Sequence, residues 1–240
     1  MTETALKILM AFLMVIDHIS PFLTPEIAGI FHFISRPVAS VFAFFIIEGY
    51  VHTKDLKKYF LRLVTAAILM FIGNCLINYF IIKNIVYCVH NNIFITFAIG
   101  LIGLYVYDHV FLKGRKFCGL IILAILFILS IRCDYGTIIF PFIMICYIFK
   151  NDKHRRNLTL FALTALLLPT AAVSYETNKE TLIMFLLNSD ILVPIAGLPF
   201  IHFYNGERGN CSKTLKYFFY IFYPVHIWLI SVLADVILRA

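Results

Sequence analysis

The stretch Leu63-Val-Thr-Ala-Ala-Ile-Leu-Met-Phe-Ile-Gly-Asn-Cys-Leu-Ile-Asn-Tyr-Phe-Ile-Ile82 runs for twenty positions without a charged residue. About 20 helical residues cross the roughly 30 Å hydrocarbon core of a bilayer, and this run lies inside a longer apolar segment, 57–82. A helix in lipid needs no polar face, because its solvent is as apolar as its neighbours, so an all-round apolar run is its natural sequence form. Working outward, further runs broken by charge, Pro, Gly or Asn fall at about 4–23, 30–52, 92–111, 116–132, 135–149, 157–175, 181–203 and 216–238. The expectation is an all-α, polytopic transmembrane bundle of about nine helices forming a single domain over 1–240. The fifth and sixth runs are short and also fit a hairpin that stops inside the membrane.

Composition agrees. The chain of 240 residues is 62% hydrophobic and 14% charged, and its mean hydropathy is +0.92. A soluble domain of this size needs a far more polar surface. The net charge of +7 does not argue for nucleic acid, since the basic residues lie between apolar runs and not on one face of a soluble module. Six cysteines occur without a C-x-x-C pair, which argues against zinc or a disulfide framework and reads as small apolar filling. No metal is expected. The first run is not followed by a small-x-small cleavage site and is kept as a spanning helix.

Basic residues sort by connection. Lys7, the 54–62 cluster, Lys113, Arg115, Lys116, Lys150, Lys153, Arg155, Arg156, Arg208, Lys213 and Lys216 place 15 of the 20 Lys and Arg on one side. Lys83, Arg132, Lys179 and Arg239 fall on the other, and Arg36 sits inside a run. Basic loops are retained in the cytoplasm, so the amino terminus is expected inside and the carboxy terminus outside. Subunit-facing and lipid-facing surfaces look alike in composition, so a monomer and a homo-oligomer fit equally.

Ionisable groups within a spanning segment cost about 2.5 to 3.5 kcal/mol each on insertion scales and therefore mark function. The first two runs keep Asp17, His18, Arg36, Glu48 and His52. His18 exchanges a proton near neutral pH and suits a general base; a structural hydrogen bond to a neighbouring helix is the plainer alternative. Asp17 is adjacent in sequence, but i,i+1 side chains on a helix do not face each other, so Arg36 is as good a partner for it as His18. Glu48 and His52, spaced i,i+4, share a face near the inner end. Asn92 and Thr96 likewise share a face, at the same depth as Asp134 and Tyr135, and together they outline an outer polar chamber or a set of helix caps. Lys57, Lys58, Arg62 and Arg208, with Tyr223 and His226 on the last helix, outline an inner basic rim suited to phosphates, although topology alone also yields basic inner loops.

The blocks Leu13-Met-Val-Ile-Asp17-His18-Ile, Arg36-Pro-Val-Ala-Ser-Val-Phe-Ala-Phe with Glu48-Gly-Tyr-Val-His52-Thr, Asn92-Ile-Phe-Ile-Thr96, Asp134-Tyr-Gly136, and Tyr204-Asn-Gly-Glu-Arg208-Gly with Lys216-Tyr-Phe-Phe-Tyr220-Ile-Phe-Tyr223-Pro-Val-His226 occur in this order over nearly the whole chain. In that order they resemble the TraX family, which looks related to acyltransferase-3 type membrane enzymes. The resemblance implies a bacterial cytoplasmic-membrane acetyltransferase that uses acetyl-CoA as donor and a peptide or glycan as acceptor. It assigns His18 the catalytic role, with Asp17 and Arg36 in support. The other matched residues take roles from expected depth: Glu48, His52, Arg62, Arg208, Tyr223 and His226 toward coenzyme A, joined by Lys57 and Lys58 of the basic rim, and Asn92, Thr96, Asp134 and Tyr135 toward the acceptor. A small-molecule transporter or channel would also retain a polar intramembrane path and is the alternative.

Overall fold

A computed structural model describes residues 1–178, 182–209 and 213–238, with the side chains of 170–178, 182, 184, 188 and 213–216 outside the described set. Lys179, Cys211 and Arg239 therefore lie outside the described residues, as do the side chains of Lys213 and Lys216. Among the described residues the chain is helical and contains no strand: α1 Glu3–His18, α2 Pro25–Ser35, α3 Pro37–His52, α4 Leu56–Phe80, α5 Ile93–Val106, α6 Lys116–Ser130, α7 Gly136–Ile148, α8 Lys153–Asn178, α9 Leu182–Asn188, α10 Val193–Ala196, α11 Leu198–Phe203 and α12 Lys213–Leu238.

Local chemistry sets the boundaries. Thr2 caps α1 by accepting from the Ala5 amide at 3.4 Å, and Asp55 caps α4 by accepting from the Lys58 amide at 2.9 Å; each satisfies an amide that the first turn leaves unpaired. Pro25 and Pro37 open α2 and α3, where a missing N–H costs nothing. Arg36 between them keeps helical dihedrals, so α2 and α3 form one nearly continuous helix, Pro25–His52, that starts earlier than the apolar run suggested.

Among the described residues four helices are long and apolar enough to cross a membrane: Pro25–His52, Leu56–Phe80, Ile93–Phe111 and Tyr217–Leu238. The nine crossings expected from the apolar runs are not matched by helix lengths. Helix α1 has 16 residues, α6 has 15 and α7 has 13. The run at 181–203 is not one helix but three short ones, broken around Ser189-Asp190 and again at Gly197, with Pro194 and Pro199 each opening a new turn.

Helices α3, α5 and α7 form the centre of the bundle, with α4, α6 and α8 packed around them. The short α7 is the most enclosed, with Ile139, Phe142 and Ile143 fully buried. Gly100 on α5 admits it closely, since a Cβ there would stand 2.5 Å from Ile143 Cδ1, the use of small residues expected where helix backbones approach in a membrane. By contrast α4 turns Leu69, Phe71 and Phe80 outward, as a lipid-facing helix does.

Polar contacts gather at two ends of the bundle. At the amino-terminal end the Glu3 amide donates to the Glu207 carbonyl at 2.9 Å, the Tyr204 hydroxyl donates to Glu48 at 3.3 Å, and the Tyr50 and Tyr147 hydroxyls both donate to Asp108 Oδ2, at 2.8 and 2.6 Å. Asp108 lies in a π-helical turn, Tyr107–Phe111, that continues α5. At the opposite end the Asn92 amide donates to Asp134 Oδ2 and Thr96 Oγ1 donates to the Asp134 carbonyl at 2.7 Å. There Asp235 also accepts from the Asn84 amide at 2.9 Å, tying α12 to the turn after α4.

Candidate functional site

A cavity of about 520 Å3 runs between α1, α3, α4, α5 and α12 and joins the two polar ends. From Glu3 to His18, both of which line it, α1 rises roughly 22 Å at 1.5 Å per residue. The middle is aromatic and aliphatic: Phe42, Phe45, Phe94, Phe97, Tyr220 and Tyr223 contribute to its walls.

Lys7, Arg62 and Arg208 line the amino-terminal end together with Glu3, Glu48 and His52. Lys7 is committed to Glu3 at 2.5 Å. Neither Arg62 nor Arg208 forms an ion pair among the described residues; Arg62 rests over the Tyr59 ring at 5.6 Å, and its buried Nε has no hydrogen-bond partner. His52 accompanies Glu48, with Nδ1 3.0 Å from the Glu48 carbonyl and 3.8 Å from its carboxylate, and its side chain is 71% exposed. Burial and the neighbouring Glu48 carboxylate push the Tyr204 hydroxyl up, so it stays a proton donor to that carboxylate. Lys57 and Lys58 do not line the cavity: both are exposed in the first turn of α4, and Lys58 pairs with Asp55 at 3.2 Å.

The opposite end holds the densest polar cluster. Asp17 Oδ1 accepts from His32 Nδ1 and from Ser35 Oγ, each at 2.7 Å. His32 Nε2 stands 3.7 Å from Asp190 Oδ1, too far for a hydrogen bond; Arg36 Nη1 donates to that oxygen, while Arg36 Nη2 donates to the Leu187 carbonyl at 3.1 Å. Of the two partners open to Asp17 in the sequence, neither His18 nor Arg36 hydrogen-bonds to it, and Asp17 and Arg36 pair elsewhere. Each group found another partner because α2 inserts His32 between Asp17 and Asp190, and Arg36 turns to the break after α9. His32 and Asp190 were not singled out from sequence, although both are ionisable residues within apolar runs, the signal that picked out the others.

Asp134 and Tyr135 line this end, but Asn92 and Thr96 stand behind them. Asn92 spends its side-chain N–H on the Ala67 carbonyl at 2.9 Å, and both residues are buried. Burial pushes the Asp134 carboxyl up, and the donated Asn92 amide partly offsets it. Its geometry is that of a cap on α5 supplied from another loop. Tyr135 has a left-handed backbone, φ 53°, and Gly136 follows because a Cβ there would meet the Ser130 carbonyl oxygen.

His18 lies at the end of α1 on the cavity wall, and neither of its ring nitrogens is hydrogen-bonded among the described residues. Its ring neighbour is His226 of α12, at a centroid separation of 5.2 Å. His226 was expected at the inner rim with Tyr223, but it lies midway along α12, beside the opposite end. No group of three His, Cys, Asp or Glu suited to a metal ion occurs among the described residues.

The arrangement offers an end lined by Lys7, Arg62 and Arg208, an apolar passage, and an imidazole beside a carboxylate-rich mouth. Comparison with known proteins agrees with the order of the sequence blocks. The family model described as TraX protein matches residues 2–234. The probable fimbrial assembly protein FimC, serogroup H1, of Dichelobacter nodosus is 25% identical over 210 residues, which cover 82% of this chain and 80% of that protein. No solved structure matches the chain significantly. Since the family match extends over nearly every residue that forms the bundle and its cavity, this membrane protein belongs to the TraX family.

Proposed function

We propose that the chain is an acyltransferase of the bacterial cytoplasmic membrane that moves an acetyl group from cytoplasmic acetyl-CoA to an amine or hydroxyl of a peptide or glycan. The observation that carries this reading is the cavity joining Arg62 and Arg208 at one end to His18 at the other. Its volume of about 520 Å3 lies within the roughly 300–1,000 Å3 of small-molecule sites. The amino-terminal end faces the cytoplasm, in keeping with the basic connections, and the remaining apolar segments complete a multi-pass bundle.

In this reading the coenzyme A phosphates sit on Arg62 and Arg208, where guanidinium groups without carboxylate partners suit phosphate oxygens. The thioester arm follows the aromatic passage toward His18. His18 takes the proton of the acceptor as its nitrogen or oxygen attacks the thioester carbonyl. The C–S bond breaks, and the imidazolium returns the proton to the departing thiolate to give the free thiol. The same imidazole could instead carry the acetyl group between two transfers. The likeness to a probable fimbrial assembly protein supports a fimbrial subunit as the peptide acceptor.

The test is calorimetric titration of the detergent-purified protein with coenzyme A, paired with mass spectrometry of membranes from cells with and without the gene. Saturable binding weakened by Arg62→Gln, and a gene-dependent gain of one acetyl mass on a surface peptide or glycan, are expected. Absence of coenzyme A binding would remove the enzyme reading and favour transport of another solute.

A further inference from the structure

We infer that His226 is the positioning residue for His18: its Nε2 accepts a hydrogen bond from the His18 ring and so fixes which nitrogen of His18 faces the cavity. The inference rests on the catalytic reading of His18 given above, but its geometry is independent of any substrate.

Adjacency in sequence points to Asp17 for this task, and the structure spends Asp17 elsewhere. Its Oδ1 takes both the His32 and the Ser35 protons, and no hydrogen bond joins it to His18. The ring that meets His18 comes instead from the far end of the chain. His226 Nδ1 lies 2.7 Å from the Phe222 carbonyl, a group that only accepts, so Nδ1 carries the proton. In the neutral ring Nε2 is then a bare acceptor. That nitrogen is buried without a partner, in a residue only 7% exposed. A buried, unsatisfied acceptor in a native structure calls for an explanation, and the cross-helix ring beside it is His18, tilted by 52° at 5.2 Å. Two imidazoles joined by an N–H···N bond have centroids about 5 Å apart, which is the donor–acceptor span plus the two ring radii. In the proposed pair the His18 ring turns about χ2 to aim its N–H at that nitrogen.

The ring of His226 is itself held still. It stacks on Phe222 at 4.9 Å and 15° and meets Tyr223 edge-on at 6.0 Å. An acceptor immobilised in this way selects one tautomer of His18 and leaves its other nitrogen as the proton-accepting atom on the cavity side. That is the part a carboxylate plays for histidine in many hydrolytic sites, supplied here by a neutral imidazole without placing a further charge in the bundle.

The test uses the full-length protein in detergent with 15N-labelled histidine. NMR reads the tautomer of His18, assigned by comparison with His18→Gln, in wild type, His226→Phe and His226→Gln. Phe keeps the ring volume and removes the acceptor; Gln returns an acceptor oxygen near the Nε2 position. A single His18 tautomer in wild type, a mixture in His226→Phe and recovery in His226→Gln are expected. With acetyl-CoA, His226→Phe should lower kcat for thioester use by about 10-fold or more while leaving KM within about twofold, the pattern of a lost orienting contact. An unchanged His18 tautomer in His226→Phe, with the same melting temperature as wild type, overturns the inference. A tautomer that does depend on His226, in a protein with no acetyl-CoA turnover, supports the positioning contact and overturns only the acyltransferase reading.

Discussion

His32 Nδ1 lies 2.7 Å from Asp17 Oδ1, an imidazole–carboxylate contact between α1 and α2 at the mouth of the cavity. With the Ser35 hydroxyl on the same oxygen, it closes the hairpin formed by the two helices across the turn at Ser20–Phe22. Hydrogen bonds to a charged group contribute about 1.5–3 kcal/mol. His32→Phe and Asp17→Asn should each lower stability by roughly that amount. Combined, they should cost less than the sum by about 1 kcal/mol or more, because both delete one shared contact. Denaturant unfolding of the detergent-solubilised protein measures the coupling; strict additivity would show that the contact contributes nothing.

Arg36 and Asp190 form an asymmetric pair, and the asymmetry sets the order of two variants. The Arg36 side chain is 2% exposed, whereas that of Asp190 is 44% exposed. Asp190→Ala strands a buried guanidinium, a loss of about 3 kcal/mol or more. Arg36→Met keeps most of the volume and returns the Asp190 carboxylate to solvent, at a smaller cost. Thermal melting should therefore rank Asp190→Ala below Arg36→Met, and the reverse order would contradict the burial that separates the two partners.

Part of this architecture is written plainly in the chain. The charge-free run of Leu63–Ile82 became the body of α4, and Asn92 and Thr96, which share a face by spacing, both meet Asp134 as a helix cap behind the cavity wall. The run at 181–203 misled because proline opens a helix as readily as it interrupts one, so Pro194 and Pro199 do not announce three short helices in an otherwise apolar stretch. Helical geometry left His18 and Arg36 equally open as partners of Asp17, and the structure pairs Asp17 with neither. Choosing among His32, Ser35 and Arg36 as its partner required the crossing of α1 over α2, which no periodicity encodes. His226 was assigned to the rim because the start of α12 is hard to place in a basic, aromatic segment. Thirteen residues of α12 separate Lys213 from His226, and that rise of roughly 20 Å carries the ring to His18.

Asp134 makes a pH-dependent prediction. Burial raises its carboxyl above the ordinary value of 3.8, so the folded state holds this proton more tightly than the unfolded chain does. The sign follows: its contribution is most favourable below 3.8 and is lost as pH rises through the raised value. Asp134→Asn keeps an oxygen for the Asn92 amide without ionising, whereas Asp134→Ala removes the cap on α5 at a cost of about 1 kcal/mol. Melting curves between pH 4 and 7, a range of about 3 units around ordinary carboxyl titration, should fall more steeply with pH in wild type than in Asp134→Asn. At every pH Asp134→Ala should melt below Asp134→Asn. Equal pH slopes in wild type and Asp134→Asn would show that the carboxyl titrates as if exposed.

The basic end separates residues that sequence alone treated as one rim. Arg62 lines the cavity with a buried Nε that lacks a partner, while Lys57 and Lys58 lie exposed outside it. A ligand held inside the cavity must therefore discriminate among these cations. Arg62→Gln should weaken coenzyme A binding by about 10-fold or more, the scale of one charge-assisted contact. The double change Lys57→Gln, Lys58→Gln should shift it by less than about twofold, because exposed charges are screened by salt. His18→Ala should leave coenzyme A affinity close to wild type, since that ring stands at the far end of α1, yet lower acetyl transfer by about 10²–10⁴-fold. Titration calorimetry and acetyl incorporation measure the two quantities separately. If the lysine pair proved to matter more than Arg62, the anion would sit on the outer surface of the bundle, and the passage to His18 would have no part in binding it.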